Sequence, residues 1–258
     1  MDEIDLLIDL HARNDRQGPG GEDETRRAIE LARLDARGHL RVADIGCGTG
    51  ASTLVLATLL DAHVTAIDAA PAFMEKLRAR ADQEGLGERI AARVGDMESL
   101  PFADGEFDVI WSESAIYNMG FEAGIQAWNQ FLRPGGVLVV SELTWTTSSR
   151  PAEIETHWTT EYPGITTVSA NIRTLEQSGY RPLGFFFIPP HCWVENYYEP
   201  LRAAFPSFLE RHEHHEDARR IVASEESEMR LYETSGQWYG YAFYIARKPA
   251  ASDEIGAI

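Results

Sequence analysis

The sequence predicts an α/β domain with a seven-stranded, mostly parallel sheet, helices on both faces and an antiparallel last strand. Three observations predict it. From residue 41 to residue 142 short apolar runs alternate with helix-period segments, the beat of parallel strands joined by helical crossovers. Turn sequences stand ahead of buried runs, at Ala103-Asp104-Gly105 and at Arg133-Pro134-Gly135-Gly136. The closing run, 238–246, sets Tyr239, Tyr241, Phe243 and Ile245 on one face, and with the apolar run before it makes an antiparallel pair.

In chain order, two helical pieces come first, 2–13 and 22–37. Gln17-Gly18-Pro19-Gly20-Gly21 joins them and is too rich in Gly and Pro for regular structure. The second piece carries Ala28, Ile29, Leu31, Ala32 and Leu34 on a helical period and is expected to end at Gly38, where a left-handed cap forms easily. Strand 41–45 runs into Gly46, and 51–60 is apolar on nearly every face, as a helix buried against a sheet is. Strand 63–68, helix 70–84, strand 90–95, strand 107–112, helix 121–132 and strand 137–142 follow. Residues 144–167 are polar and aromatic, 169–178 reads as a helix ending at Gly179, and 183–188 is an apolar strand closed by Pro189-Pro190. Residues 191–235 hold helical pattern and many charges but no strand, and 250–258 reads as a frayed tail.

Composition narrows the function. With 258 residues, 44% of them hydrophobic, the chain supports one large core. Its 41 acidic and 23 basic side chains leave a net charge of −18 and no Lys/Arg cluster, which excludes binding through phosphates and so a nucleic-acid partner. No run of about eighteen apolar residues occurs, and the acidic start Met1-Asp2-Glu3-Ile4-Asp5 is unlike a secretion signal, so a soluble, cytoplasmic protein without a membrane partner is expected. Cys47 and Cys192 form neither a disulfide framework nor a zinc spacing, and His212, His214 and His215 lie among acids on a solvated helix, so no metal site is expected. The aromatics from Tyr239 to Tyr244 are either core or the face of a homo-oligomer.

The chemistry concentrates at Val42-Ala43-Asp44-Ile45-Gly46-Cys47-Gly48-Thr49-Gly50, a strand entering a glycine turn and then a helix. Glycines there let backbone approach a ligand and aim the helix N-terminus at it. Asp68 ends the next strand, where a carboxylate accepts ribose hydroxyls, so the site is Rossmann-like. Gly46, Gly48 and Ala51 also satisfy the dinucleotide pattern, so the glycines alone leave NAD open.

Further along stand Val94-Gly95-Asp96-Met97, Leu100-Pro101-Phe102, Phe107-Asp108-Val109-Ile110-Trp111-Ser112 and Leu132-Arg133-Pro134-Gly135-Gly136. With the glycine turn, these resemble, in order and spacing, the motifs of class I S-adenosylmethionine-dependent methyltransferases. The resemblance implies that Gly46, Gly48 and Gly50 face the methionine half of the cofactor, that Asp68 holds the ribose, and that Asp96 and the Met97 backbone meet the adenine. Trp111-Ser112-Glu113-Ser114-Ala115-Ile116-Tyr117-Asn118-Met119-Gly120-Phe121-Glu122, with Val140-Ser141-Glu142 and Trp145, is similar to a bacterial subgroup of small-molecule methyltransferases, and no Asn/Asp-Pro-Pro-aromatic loop of the DNA type follows strand four.

Under that resemblance the cofactor, S-adenosylmethionine, is expected at Gln17, Asp44, Gly46, Gly48, Thr49, Gly50, Asp68, Ala69, Asp96, Met97 and Glu113. A small-molecule acceptor is expected at Tyr117, Asn118, Trp145, His157 and Trp193, with Glu113 and Tyr117 as the catalytic candidates and transfer to N or O. Residues 1–37 read as a helical lid, 38–143 as the cofactor-binding core, and 144–258 as the remaining sheet with substrate-side insertions at 144–168 and 191–235. Bland roles compete. Asp96 also suits a helix cap, Glu113 a structural acceptor, and the aromatics a small core of their own. An NAD-dependent oxidoreductase would want a Tyr-x-x-x-Lys pair, but Phe121 stands where the Lys after Tyr117 would be; a non-catalytic nucleoside-binding regulator is the other rival.

Overall fold

The computed structural model describes residues 3–250. Its first half comprises α1 (Glu3–His11), α2 (Glu22–Ala32), β1 (Leu40–Ile45), α3 (Ala51–Leu59), β2 (Ala62–Asp68), α4 (Pro71–Gln83), β3 (Ile90–Val94), β4 (Phe107–Ser112) and α5 (Phe121–Asn129). Then come β5 (Leu132–Trp145), α6 (Ala152–Glu161), the two-residue β6 (Thr166–Thr167), α7 (Val168–Gln177), β7 (Arg181–Phe187), α8 (His191–Trp193), α9 (Glu199–Arg211), α10 (Glu216–Ser235) and β8 (Tyr239–Arg247). Residues 1, 2 and 251–258, which include the start of the expected first helix and most of the expected tail, lie outside the described residues.

The sheet runs β3-β2-β1-β4-β5-β8-β7, with β6 beside the end of β5. β1 to β5 are mutually parallel, and β8 is antiparallel to both β5 and β7. The seven expected strands, the last of them reversed, are therefore present, and the short β6 adds an eighth. Strand order reverses between β1 and β4, and that switch leaves a crevice beyond their carboxyl ends. Alternate side chains divide between two cores. Val42, Val109, Trp111 and Phe243 pack with Ile29 of α2, Leu54 of α3 and Met229 of α10, while Ala43, Ile110, Val140 and Tyr244 pack with Trp128 of α5 and Leu175 of α7.

Two expected boundaries move. The helix foreseen to Gly38 ends at Ala32, because Arg33 itself takes the left-handed conformation (φ 53°). Arg33 N then donates to Glu30 O and Leu34 N to Ile29 O, a Schellman closure that lets Leu34 turn into the core. The Arg-Pro-Gly-Gly turn is instead an irregularity inside β5. Leu132 pairs with Phe107, and regular pairing resumes at Val137 with Val109. Tyr239 to Tyr244 are buried in β8 between two strands, so they are core rather than a free aromatic face. No helix among the described residues is long and apolar enough to cross a membrane.

Candidate active site

The glycine turn is built from backbone outward. Gly46 N and Cys47 N both donate to Ile67 O, at 2.8 and 3.1 Å, which fastens the turn to β2. Gly48 has φ 55°, a conformation glycine adopts most freely, and a Cβ there would stand 2.3 Å from Gln17 Oε1, so a side chain would have to displace the Gln17 amide. Asp68 Oδ2 accepts Gly48 N at 2.9 Å, and Oδ1 accepts Ala70 N at 3.0 Å. Burial raises the Asp68 pKa, and those amide donors pull it back.

Asp44 lies beneath the turn, fully buried. Its Oδ2 accepts the Ser52 and Thr53 hydroxyls at 3.0 and 2.6 Å, while Oδ1 has no partner. Burial pushes its pKa up to about 7 despite the Thr53 bond. Thr49 faces the N-terminal segment, its N donating to Gln17 Oε1 at 2.7 Å and its hydroxyl lying within 3.2 Å of Asn14 O and 3.0 Å of Asp15 O. Gly50 caps α3 and packs on Leu77.

A cavity of about 590 Å³ opens above this turn, within the roughly 300–1,000 Å³ usual for small-molecule sites. Gln17, Gly46, Gly48, Asp68, Ala69, Asp96, Met97, Glu113, Tyr117 and Asn118 line it. Asp44, Thr49 and Gly50 stand behind the wall and shape it. Trp145, His157 and Trp193 are elsewhere. Trp145 is buried under the Arg150 guanidinium, 4.0 Å over its ring, and His157 is exposed on α6. Trp193 stacks on Tyr232 at 4.4 Å and on Tyr241 at 5.3 Å. Large rings gain most by burying one another, so these aromatics form a core instead of lining a cleft. Asp96 does cap locally, with Oδ1 accepting Glu98 N at 2.9 Å, yet it also lines the cavity. Trp128 Nε1 holds Met97 O at 3.2 Å.

Glu113, at the end of β4, is fully engaged. Oε1 accepts the Thr25 hydroxyl at 2.7 Å and Trp111 Nε1 at 2.9 Å, and Oε2 accepts Arg16 Nη1 at 3.2 Å. It acts here as the structural acceptor that joins the N-terminal segment to the sheet. Ser114 follows with φ 52°, a left-handed conformation uncommon outside glycine. Its N donates to Ser141 Oγ at 2.7 Å and its hydroxyl to Pro19 O at 2.8 Å. Asn196 Nδ2 donates to Gly20 O, and Lys76 to Arg13 O and Asn14 O. The Gly/Pro segment is therefore anchored against the cavity at each step.

Sequence reasoning missed Arg16 and Thr25, whose partner Glu113 lies 97 and 88 positions away. It also missed His11, Glu225 and Glu228, which line the cavity with Tyr197 from helices with no motif of their own. Glu24, His191 and Cys192 bring ligating atoms within 4.8 Å of one another, but in the first turns of α2 and α8, where helix dipoles disfavour a cation.

Residues 42–136 match the family described as "Methyltransferase domain". Methyltransferase GfsG of Streptomyces halstedii is 34% identical over 124 residues, covering 48% of this chain and 44% of that protein. The 27-O-demethylrifamycin SV methyltransferase of Amycolatopsis mediterranei is 31% identical over 160 residues, 58% of each chain. The chain thus spans about half the length of these curated relatives. A crystal structure of a SAM-dependent methyltransferase from Geobacter sulfurreducens, in complex with S-adenosyl-L-homocysteine, shares the fold with a TM-score of 0.81 at 18% identity, covering 94% of this chain and 97% of that one. In its matched residues 42–136, its strand order and its glycine turn, this chain is similar to S-adenosylmethionine-dependent methyltransferases.

Proposed function

We propose that the chain binds S-adenosylmethionine in this cavity and directs its methyl group to a nitrogen or oxygen of a small molecule. One observation carries the reading. A single cavity joins the glycine turn, Asp68 and Asp96 to Glu113, Tyr117 and Asn118. The residues fit the cofactor. Gly46 and Gly48 leave backbone bare where a ligand must come close, and each Asp68 oxygen keeps a lone pair for a ribose hydroxyl beyond the amide it accepts. Asp96 and Met97 form the wall next to them.

When bound, the cofactor supplies an electrophilic methyl on a sulfonium. The protein's part is alignment, which supplies much of the rate in such a displacement. Gln17 and Glu113 hold the 12–25 segment over the cavity, so residues 1–37 serve as the lid and Glu113 positions rather than exchanges protons. Tyr117, 40% exposed where it lines the cavity, would present its hydroxyl to the acceptor. The relative named for 27-O-demethylrifamycin makes oxygen a reasonable acceptor atom. In this reading the partners are small molecules, neither nucleic acid nor membrane, and the protein works in the cytoplasm.

Calorimetry of the ligand-free protein with S-adenosylmethionine, S-adenosylhomocysteine and NAD tests the proposal. Micromolar binding of both sulfur nucleosides, weakened at least about tenfold by Asp68→Ala, supports it. Binding of NAD alone overturns it.

A further inference from the structure

One part of the cavity carries groups that the nucleoside site does not use. Helices α1 and α10 close it. His11 of α1 sets Nε2 3.4 Å from Glu225 Oε1, while its Nδ1 is buried with no hydrogen-bond partner. Glu228, one turn further along α10, accepts the Tyr198 hydroxyl at 3.0 Å. Burial and the adjacent Glu225 charge push the Glu228 pKa up to about 7. Among the described residues neither Glu225 nor Glu228 pairs with a Lys or Arg.

Tyr197 lines the same part, only 8% exposed, with its ring stacked 6.2 Å from His11 and its hydroxyl without a hydrogen-bond partner among the described residues. The π-helical turn Val194–Tyr198 carries it there, and such turns favour functional sites over regular packing. The buried ring nitrogen is costly without a partner, and the phenol and two carboxylates beside it have no Lys or Arg partner among the described residues. A ligand that brings positive charge and several N–H donors completes all of them together.

We propose that this part of the cavity is the acceptor subsite and that it selects an organic ammonium group, seated between Glu225, Glu228, His11 and the Tyr197 hydroxyl. An ammonium group has three N–H donors, matched here by the Nδ1 lone pair, a carboxylate and the phenol oxygen. The Tyr117 and Tyr197 rings add faces that attract a cation, and the two carboxylates repel acceptors that carry phosphate or carboxylate. The role as acceptor subsite rests on the methyltransferase reading; the ammonium binding does not.

The test uses three probes alike in ring and chain: 2-phenylethylamine, 2-phenylethanol and phenylacetate. Each is titrated against the full chain by ligand-observed NMR, with and without saturating S-adenosylhomocysteine. The amine is expected to bind at least about tenfold more tightly than the other two. The Glu225→Gln/Glu228→Gln double variant should erase that preference, and Tyr197→Phe, which keeps both carboxylates, should weaken the amine about threefold or more. Circular dichroism checks that each variant is folded. Equal or tighter binding of the alcohol or the acid, a preference that survives the double variant, or no amine binding at millimolar concentration overturns the inference. Failure of S-adenosylhomocysteine to bind while the amine preference holds sinks the function above and leaves the ammonium site standing.

Discussion

The Thr25 hydroxyl donates to Glu113 Oε1 at 2.7 Å across 88 positions of sequence, and this bond fixes where α2 stands against the end of β4. Arg16 takes the other oxygen, so one carboxylate gathers the N-terminal segment onto the cavity wall. Thr25 is fully buried and the Glu113 side chain is only 5% exposed, so a partner left alone has little water to turn to. Thr25→Val and Glu113→Ala are each expected to cost about 1–3 kcal/mol in urea unfolding. Their double-mutant cycle should show a coupling of about 1 kcal/mol, and strict additivity would mean the bond contributes nothing.

Gly48→Ala should separate binding from folding. The new methyl meets Gln17 Oε1, and φ 55° strains any L-residue by about 1–3 kcal/mol. We expect a folded protein by circular dichroism with S-adenosylhomocysteine affinity down by more than about tenfold. Adding Gln17→Ala removes the clash but not the strain, so the pair should recover stability in part.

Glu142 predicts a pH effect on stability. It is buried at the end of β5, opposite Ala242, and neither oxygen has a hydrogen-bond partner. Burial raises its pKa from the usual 4.5 to about 8. Between those values the folded protein holds a proton that the unfolded chain releases, so this group's contribution to stability falls as pH rises through the window. Glu142→Gln, which cannot ionise, should therefore raise Tm by about 2 °C or more at pH 8.5 and change it little at pH 4.5. Equal shifts at both values would show that the carboxyl titrates normally.

Trp193 tests the division between core and cleft. It packs on Tyr232 and Tyr241 away from the cavity, and its Nε1 is buried without a partner. Trp193→Ala should cost about 3–5 kcal/mol and Trp193→Phe much less. Binding of S-adenosylhomocysteine and of the three phenyl probes to Trp193→Phe should match the unaltered protein. A selective loss of probe binding would place the ring in the acceptor site.

The fold was legible because its signals are local. Alternation of apolar strand and helix around 41–142, the glycine turn after β1 and the aromatic face of β8 each follow from neighbouring residues, through side-chain period and backbone freedom. Where a local signal had a competitor it misled. Gly38 is the obvious stop, yet Arg33 closes α2 because Leu34 gains burial by turning inward.

The glycine-turn side of the cavity was legible for the same reason, since Gly46, Gly48, Asp68, Asp96 and Met97 sit at or just beyond strand ends that the pattern locates. The opposite side was not. His11, Glu225 and Glu228 belong to helices whose sequences show only amphipathic surface, and Trp193, expected at the acceptor, also suited a small aromatic core. Period and turn chemistry act within a few residues, whereas a cavity wall forms from side chains that meet only when helices pack. That packing made Glu113 a staple for the N-terminal segment and put two carboxylates beside an unpartnered histidine nitrogen, neither of which any stretch of sequence encodes alone.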